Sequence, residues 1–544
     1  MKKRFIVGLL ILSLFSTLVC GCGQPQQEKN PAADAGKDKV VRYNHGQEPE
    51  TIDPALNTST DGGTIAAAVF EGLTAVDMND EIIPGVAESW DVTDDRKTYT
   101  FHLRKDAKWS DGQPVTAQDF AYAWQRALDP NTKAEYAYQL FYIQQAEEFN
   151  AGQAKAEDLG IKVVDDYTLE VRLNAPTPYF LRLTSFPTLM PVRQDVIEKN
   201  GDKWARKVET YIGNGPFKAT EWVSKDHLKL VKNDQYWDKN RVKIDGIMIT
   251  FIGDESTMLS SYEAGELDVI DSVPLTEVDR LKKESKDFKM IPLAGTYYYA
   301  FNTQKAPFDN VKVRKAFALA VDRTVIVDKI RKSGTPATAF VPPGVPDATP
   351  GKDFRSNGGD FFPVKADTAQ AKKLLAEAGY PDGKGFPDVS LIYNSTEEHK
   401  IIAEAVLEMW KSNLGISNIK LSNMEWGVFI PTRQKGDFQI ARDGWIGDYN
   451  DPMTFIDLFT TGNGNNDPQW SNAQFDQLVK KARLATDEKE RMAILHEAEK
   501  LFLDEAIMCP IYFYTQNTMI KPYIKNLHVS PLGLTYFDRV EITK

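Results

Sequence analysis

Cysteine and histidine are scarce in this sequence of 544 residues, which has three of the former and six of the latter. The cysteines, Cys20, Cys22 and Cys509, are too few for a disulfide scaffold or for the four thiolates of a structural zinc site. The histidines are scattered, with no pair at the spacing of a metal-binding motif, so we expect no metal site. Phosphate-binding loops, dinucleotide fingerprints and zinc-protease helices are also missing, and we expect no cofactor.

An excess of positive charge is missing as well. The 65 Lys and Arg residues are outnumbered by 77 Asp and Glu, and the net charge of −12 argues against binding to nucleic acid. After the first 22 residues, no apolar run approaches the roughly 20 residues that a membrane-spanning helix needs. The composition, 42% hydrophobic and 26% charged, is typical of a folded globular protein, and the length suggests about three or four domains.

The beginning of the chain has the order of charge and hydrophobicity found in an export signal. Residues 2–4 are basic, and the apolar run that follows them is too short to span a bilayer. The run ends in Val-Cys-Gly-Cys, which resembles the bacterial lipobox, with Cys22 at the position of the lipidated cysteine. We therefore predict a signal peptide over residues 1–21, a lipid anchor on Cys22 and a flexible tether over residues 22–39.

Strand and helix signals alternate along the rest of the chain. Residues 97–103 and 169–173 alternate between apolar and polar side chains, as strands do. Ser395 and Glu398 have the spacing of a capping box ahead of an amphipathic helix, and a similar box opens a helix over residues 487–505. This mixture predicts an α/β fold rather than a helical bundle or a β-sandwich.

The sequence shows no constellation of catalytic residues. It has no Gly-x-Ser-x-Gly nucleophile motif, and its many carboxylates have no spacing that marks a catalytic pair. A protein that captures a solute outside the cell needs a cleft but no reactive group, so these absences favour an exported binding protein over an enzyme. A secreted lipoprotein hydrolase is the alternative from a different functional class.

A dense set of motifs lies between residues 86 and 120. The set comprises Val-Ala-Glu-Ser-Trp at 86–90, Tyr-Thr-Phe-His-Leu-Arg-Lys-Asp-Ala-Lys-Trp-Ser-Asp-Gly at 99–112 and Pro-Val-Thr-Ala-Gln-Asp-Phe at 114–120. Together with Gly-Trp-Ile-Gly-Asp-Tyr-Asn-Asp-Pro at 444–452, these motifs resemble the oligopeptide-binding proteins of ABC peptide importers, members of solute-binding protein family 5. The resemblance extends over residues 40–544.

The resemblance implies a fold and a division into lobes. The expected fold is periplasmic-binding-protein-like (type II, cluster C), an α/β fold of three lobes in which hinge closure encloses a ligand between lobes I and III. Transferred by matching motifs, the boundaries are 40–71, 194–294 and 514–544 for lobe I, 72–193 for lobe II and 295–513 for lobe III.

The resemblance also assigns ligand-binding residues. Asp448 matches the aspartate that receives the terminal ammonium group of a peptide, a charge-assisted contact that every free peptide can make. Tyr136, Trp426 and Trp445 match aromatic residues that wall the side-chain pockets, where flat surfaces bury apolar groups without demanding one side chain. Tyr298 matches a position near the hinge and the cleft.

Two further sets of residues follow from the same motifs. A receptor that ignores peptide sequence must hold the main chain, and the backbone groups assigned to this role belong to Thr58, Ser59, Thr60, Gly444, Trp445 and Ile446. Cationic or titratable side chains at graded distances are expected to meet the terminal carboxylate of peptides of different lengths, and these are Arg331, His399, Arg433 and Arg442. For each arginine, the alternative is an ordinary ion pair.

One feature of the family is missing. Some members carry a disulfide at the positions that Gly295 and Ile446 occupy here, so this bridge cannot form and the adjacent pocket is expected to differ in shape. Cys509 lies in an apolar, strand-like run and is expected to be buried as a free thiol.

The predicted function is an extracytoplasmic receptor that binds short peptides through their main chain and termini and delivers them to an ABC permease and its ATPase subunits. We expect a monomer without chemistry of its own, lipid-anchored to the outer face of the cell membrane, or in the periplasm where an outer membrane exists. Alternatives with the same fold would bind a signalling peptide, a cell-wall peptide, a nickel chelate or haem. The context of Asp448 favours a ligand with an α-amino group over the last two.

Overall fold

The computed structural model describes residues 39–349 and 351–543. The predicted signal peptide, Cys22 and all but the last residue of the predicted tether lie outside the described residues. Within the described ranges, no helix combines the length and the apolar character that crossing a membrane requires.

The strands of the described residues, in chain order, are β1 (Val40–Asn44), β2 (Thr74–Val76), β3 (Ile82–Pro84), β4 (Ala87–Val92), β5 (Thr98–Leu103), β6 (Ile161–Asp165), β7 (Thr168–Arg172), β8 (Phe217–Val223), β9 (His227–Lys232), β10 (Gly246–Thr250), β11 (Val269–Ile270), β12 (Phe288–Phe301), β13 (Thr335–Pro336), β14 (Val389–Asn394), β15 (Ile419–Met424), β16 (Ile440–Ile446), β17 (Met508–Ile520), β18 (Ile524–Lys525), β19 (His528–Val529), β20 (Thr535–Tyr536) and β21 (Glu541–Ile542).

The α-helices are α1 (Thr60–Val69), α2 (Ala117–Leu128), α3 (Ala146–Asn150), α4 (Phe180–Leu183), α5 (Gln194–Asn200), α6 (Glu255–Glu263), α7 (Val278–Glu284), α8 (Val311–Leu319), α9 (Phe354–Gly358), α10 (Thr368–Glu377), α11 (Glu397–Leu414), α12 (Trp426–Gln434), α13 (Met453–Ile456), α14 (Ala473–Leu484) and α15 (Glu488–Asp504). Two other helices matter for the site, a 3-10 helix over Glu135–Leu140 and a π-helix over Val325–Arg331. The alternation of strands and helices confirms the predicted α/β class.

A four-stranded antiparallel sheet has the order β4-β5-β7-β6. In β5 the side chains of Tyr99, Phe101 and Leu103 are buried, while the residues between them are only partly covered. Because successive side chains of a strand point to opposite faces, this alternation packs one face of the sheet against a core, as the sequence predicts.

The largest sheet has 11 strands, with the path β15-β14-β16-β12-β17-β11-β1-β10-β9-β8 and β13 paired to β17. At one end β14 runs parallel to β15 and β16, and farther along the path β1 runs parallel to β10 and β11. Two long antiparallel strands, β12 and β17, join these two parallel regions. One continuous sheet therefore contains both parallel regions.

The pairing of β12 with β17 is interrupted near its middle. Pro292 pairs with Thr515 and Thr296 pairs with Phe513, so three residues of one strand intervene where the other has one. Such an irregularity breaks the ladder of hydrogen bonds and bends the strands locally.

The start of α11 differs from the prediction. Thr396, rather than Ser395, is the N-cap, and its hydroxyl accepts the backbone N–H of His399 at 3.1 Å. Ser395 continues the sheet instead, because its N–H donates to the carbonyl of Met424. Glu398 is consequently free of the capping role that the sequence assigns to it. The second predicted cap is confirmed, since Asp487 accepts the backbone N–H of Glu490 at 2.8 Å.

Gly295 and Ile446 lie directly opposite each other on β12 and β16. A Cβ atom on Gly295 would be 2.7 Å from the carbonyl oxygen of Trp445 and 2.8 Å from Cγ1 of Ile446, so the isoleucine fills the space beside the glycine. Cys509 is fully buried in β17 as a free thiol, as predicted.

Candidate functional site

All the predicted ligand-binding residues line one cavity of about 410 Å³, a volume in the range of ligand pockets. They come from six parts of the chain: Thr58–Thr60 at the start of α1, Tyr136 in the helix 135–140, Tyr298 in β12, Arg331 at the end of the π-helix, His399, Trp426 and Arg433 in α11 and α12, and Arg442, Gly444, Trp445, Ile446 and Asp448 in and just after β16. The fold thus brings together residues that are more than 300 positions apart.

Asp448 is a partly buried carboxylate that lines the cavity and receives several hydrogen bonds but no counter-ion among the described residues. The Tyr136 hydroxyl donates to its Oδ1 at 3.0 Å, and Nε2 of Gln139 donates to its Oδ2 at 2.7 Å. Among the described residues, no lysine, arginine or histidine forms an ion pair with it. Burial in this setting raises the pKa of Asp448 well above its ordinary value.

The position of Asp448 is fixed from both sides of its side chain. Its backbone N–H donates to Oγ1 of Thr454 at 3.0 Å, which ties the turn after β16 to α13. Tyr136 and Gln139 are one turn apart in their helix, so both can reach the same carboxylate. The carboxylate is therefore held in place by neutral donors, which leave its negative charge uncompensated.

Aromatic rings cover the cavity near Asp448. The rings of Tyr136 and Trp445 lie 6.0 Å apart between centroids, and Tyr136 also packs edge-on against Phe186. Trp426 begins α12 and stacks on Phe429. The indole nitrogens of Trp426 and Trp445 have no hydrogen-bond partner, so both rings present apolar surface together with a free donor.

Arg442 differs from the other arginines of the cavity. It lies over the Tyr297 ring at 4.8 Å, and its Nη2 donates to the Tyr514 hydroxyl at 2.8 Å. It forms no ion pair with any carboxylate of the described residues, and its Nε lacks a hydrogen-bond partner. Arg442 is therefore a buried cation without a counter-ion.

Arg433 and Arg331 are already paired. Arg433 lies between two carboxylates, 2.5 Å from Asp443 and 2.8 Å from Asp467. Arg331 pairs with Glu398 at 2.8 Å and lies over the ring of Tyr512. The arginines assigned to the peptide carboxylate therefore differ, because Arg433 and Arg331 have acidic partners and Arg442 has none among the described residues.

His399 also departs from the expected behaviour of a cation. It is close to the Tyr297 hydroxyl, with 3.4 Å between Oη and Nδ1. Burial lowers the pKa of His399 well below its ordinary value, and the charges of Arg442 and Arg331 lower it further. The ring is consequently neutral at pH 7 in this structure.

The residues assigned to main-chain contacts line the cavity from two separate elements, the start of α1 and β16. Ser59 caps α1, where its hydroxyl accepts the N–H of Gly62 at 3.4 Å. In β16, a Cβ atom on Gly444 would be 2.1 Å from the Tyr514 hydroxyl, so a larger residue there would have to displace the Tyr514 side chain. Tyr298 is buried beside Asp443.

Several residues of the site were missed by sequence reasoning. They are Gln139, Thr454, Glu398, Asp443 and Asp467, all of which contact predicted residues. Only Gln139 has a local signal, because it lies three positions after Tyr136 on the same helical turn. No group of three or more metal-ligating side chains occurs among residues 39–349 and 351–543.

Comparison with known proteins gives consistent matches along the chain. The family model described as "Bacterial extracellular solute-binding proteins, family 5 Middle" matches residues 81–467. The oligopeptide-binding protein OppA of Bacillus subtilis (strain 168) is 40% identical over 548 residues, covering 99% of each chain.

Solved structures agree in fold. Haemophilus influenzae OppA in complex with RPPGFSPFR has a TM-score of 0.87 at 35% identity, covering 94% of this chain and 100% of that one. The Escherichia coli murein tripeptide binding protein MppA also has a TM-score of 0.87 at 35% identity, covering 94% and 99%. The unliganded open form of MppA has a TM-score of 0.63 at 35% identity, covering 93% and 98%, so this chain is not in the open arrangement. The predicted fold is confirmed, and the chain belongs to family 5 of the bacterial extracellular solute-binding proteins.

Proposed function

We propose that the protein is an extracytoplasmic receptor that binds short peptides with free termini and delivers them to an ABC permease. The observation that carries the proposal is the partly buried Asp448 carboxylate in the cavity wall, which has neutral donors and no counter-ion among the described residues. A buried charge without a partner is costly, and the α-ammonium group of a peptide supplies that partner. The names of the relatives, which are peptide-binding proteins, support the same function.

Arg442 supplies the opposite charge in the same cavity. It precedes Asp448, which follows the end of β16, by six positions, and at about 3.3 Å per residue of extended chain their Cα atoms are at most about 20 Å apart. Both side chains reach into the cavity, so the distance left between them suits an extended peptide of a few residues. We propose that Arg442 binds the terminal carboxylate of such a peptide.

The edge of β16 offers hydrogen bonds to a peptide main chain. On one side, residues 440–446 pair with β12 over their whole length. On the other side, β14 pairs only with Ile440 and Ala441. Residues 442–446 therefore have no partner among the described strands on that side of β16. We propose that an extended peptide occupies this edge, which would explain binding that is independent of peptide sequence.

The remaining cavity residues have supporting roles in this proposal. Tyr136, Tyr298, Trp426 and Trp445 wall the side-chain pockets, and residues 58–60 contact the main chain from the start of α1. Arg331, Arg433 and His399 serve the carboxylate ends of peptides of other lengths, although both arginines must then share their acidic partners.

We propose the lobe boundaries 40–71, 194–294 and 514–544 for lobe I, 72–193 for lobe II and 295–513 for lobe III. Support comes from the irregular pairing of β12 and β17, which falls where both strands pass from lobe I to lobe III. Bending there would open the cavity. Opening would also break contacts across it, such as the 2.8 Å hydrogen bond from Gln47 to the Ser395 carbonyl.

We propose further that Cys22 is lipidated and that the receptor is a monomer held at the outer face of the membrane. The test is metabolic labelling with palmitate followed by membrane fractionation. Wild-type protein should carry the label and sediment with membranes, whereas Cys22→Ala should lose both properties. A labelled Cys22→Ala protein would contradict this assignment.

The test of peptide binding is mass spectrometry of small molecules released by denaturing the purified protein. Peptides of a few residues should be released from the wild type and be strongly depleted in Asp448→Asn. Release of haem or a nickel chelate in place of peptides would contradict the proposal. The hydrolase alternative predicts that added tripeptide is cleaved during prolonged incubation, whereas a receptor returns it intact.

A further inference from the structure

A second carboxylate without a counter-ion lies in the wall of the cavity. Glu255, the first residue of α6, is 5% exposed, and its Oε2 atom is buried without a hydrogen-bond partner. Its side chain lines both the ligand cavity and an adjoining cavity of about 1270 Å³. Since buried polar atoms are normally hydrogen-bonded, the unpartnered oxygen requires an explanation.

Arg331, the cation whose charge acts on Glu255, does not supply a hydrogen-bond partner for this oxygen. Its Nε donates to Glu398 at 2.8 Å, its Nη1 to Ser333 at 2.8 Å and its Nη2 to the Thr515 carbonyl at 2.6 Å. The other charges that act on Glu255 are those of Glu398, Glu397 and Asp254, all of which oppose its ionisation. Burial and these three neighbours raise the pKa of Glu255.

A role in helix capping does not explain Glu255 either. The N-terminus of α6 is already capped by Asp254, whose Oδ1 accepts the backbone N–H of Thr257 at 2.7 Å. No described backbone N–H donates to the Glu255 carboxylate, so the side chain is not satisfied by its own helix. The Glu255 carboxylate is therefore a hydrogen-bond acceptor in the cavity wall that no described residue uses.

Glu255 lies away from the site of the peptide ammonium. Two of the charges acting on it belong to Glu398 and Arg331, which form an ion pair, and Tyr512 contacts both of these residues. Tyr512 stacks on Tyr297, over which Arg442 lies. Asp448 is held instead by Tyr136 and Gln139, so Glu255 belongs to the Arg442 side of the cavity.

We propose that Glu255 binds the positively charged side chain of the residue at the carboxyl end of the peptide, so that the receptor prefers peptides ending in lysine or arginine. This inference rests on the proposed peptide-binding function. The peptide carboxylate then meets Arg442, which has no acidic partner among the described residues, while the side-chain cation meets the unpartnered carboxyl group of Glu255 and favours its ionised form.

The test is calorimetric titration of the full mature receptor, freed of bound ligand, with tripeptides and tetrapeptides of alanine that end in lysine or in norleucine. Norleucine keeps the aliphatic chain and lacks the charge. For wild type, the lysine peptide of at least one length should bind about tenfold to hundredfold more tightly than its norleucine partner. In Glu255→Gln this ratio should fall to about one, with thermal unfolding recorded to verify folding.

Glu397→Gln is the matched control, because it removes an exposed carboxylate from the same neighbourhood and should keep the wild-type ratio. A tripeptide with lysine at its first position should show no dependence on Glu255. Equal affinities for lysine and norleucine peptides, or a ratio that survives in Glu255→Gln, would overturn this inference alone. Failure of wild type to bind any of the peptides would overturn the proposed function, and this inference with it.

Discussion

The hydroxyl of Tyr136 donates a 3.0 Å hydrogen bond to Oδ1 of Asp448, a residue 312 positions later in the chain. Gln139 donates to the other carboxylate oxygen from the same helix. These neutral donors orient the carboxylate without cancelling its charge, so it is arranged in advance for a cation. Binding sites formed in this way avoid the cost of ordering the side chain when the ligand arrives.

Replacing the charge of Asp448 should damage binding. In Asp448→Asn, the affinity for trialanine should fall about a hundredfold or more, because the ammonium group would be buried without an anion. Isothermal titration calorimetry measures this change directly. N-acetyl-trialanine is the control, since it has no ammonium group and should bind wild type and variant equally weakly. Equal, tight binding of trialanine to both proteins would show that the ammonium group is bound elsewhere.

Peptide binding should be accompanied by proton release. Burial raises the pKa of Asp448 in the free receptor, and an incoming ammonium group lowers it again by favouring the ionised form. Affinity should therefore increase with pH until the peptide amine, with a pKa of about 8, begins to lose its own proton. Titrations at one pH in buffers of different ionisation enthalpy should give up to one proton released for wild type and none for Asp448→Asn. Identical proton release in both proteins would contradict this mechanism.

Asp448→Asn should also stabilise the ligand-free receptor, by about 1 to 3 kcal/mol at pH 8. The amide keeps an acceptor for Tyr136, and its NH₂ can donate to Gln139 Oε1, which now lacks a partner, after rotation of the Gln139 amide. Because the pKa of Asp448 is raised on folding, its contribution to stability is present below the unfolded pKa and is lost as pH rises through the folded pKa. The gain should therefore disappear below about pH 4. Thermal unfolding at several pH values measures it, and a variant less stable than wild type at pH 8 would contradict the prediction.

Substitution of Arg433 should mainly reduce stability, whereas substitution of Arg442 should mainly reduce peptide binding. Arg433→Gln should lower the free energy of unfolding by about 3 to 5 kcal/mol, because Asp443 and Asp467 would remain buried without their cation. Arg442→Gln leaves no carboxylate without a partner and should cost about 1 kcal/mol in stability. It should, however, weaken binding of trialanine about tenfold to a hundredfold.

Trialanine amide is the control for Arg442→Gln, because it lacks the terminal carboxylate and should not distinguish the variant from wild type. Chemical unfolding and calorimetry measure the two effects separately. The assignment of Arg442 to the peptide carboxylate would be wrong if trialanine and its amide lost equal affinity in the variant.

Cys509 should be unreactive in the native protein. The thiol is fully buried in β17, and burial raises its pKa to about 11, so the thiolate that reacts with alkylating reagents is scarce. A thiol titration of protein lacking residues 1–22 should detect no thiol before denaturation and one afterwards. Rapid labelling of the folded protein would show that β17 opens readily.

The α/β class was predictable because its signals are local, as in the alternation of β5. The cavity residues were predictable only through resemblance to a known family, carried by motifs such as that from Gly444 to Asp448. The charge state of the cavity was not predictable in this way. Gln139 reaches Asp448 across 309 positions, and Glu398 reaches Arg331 across 67.

The same limit explains why the arginines of the cavity looked alike in the sequence. Arg433 and Arg331 have acidic partners supplied by other elements, and Arg442 has none, although nothing in the local sequence distinguishes them. The position of the α11 cap was wrong for a related reason. Ser395 and Thr396 are both good caps, and the hydrogen bond from Ser395 to Met424 in the neighbouring strand decides between them.

The most direct test of the receptor proposal is calorimetric titration of the ligand-free wild-type protein with trialanine and with its N-acetyl, C-amide derivative. The two ligands have the same side chains and differ only in their terminal charges. The account predicts that trialanine binds and that the blocked peptide binds at least a hundredfold more weakly, because Asp448 and Arg442 would both remain without counter-ions. Equal affinity for the two ligands, or no binding of either, would contradict it.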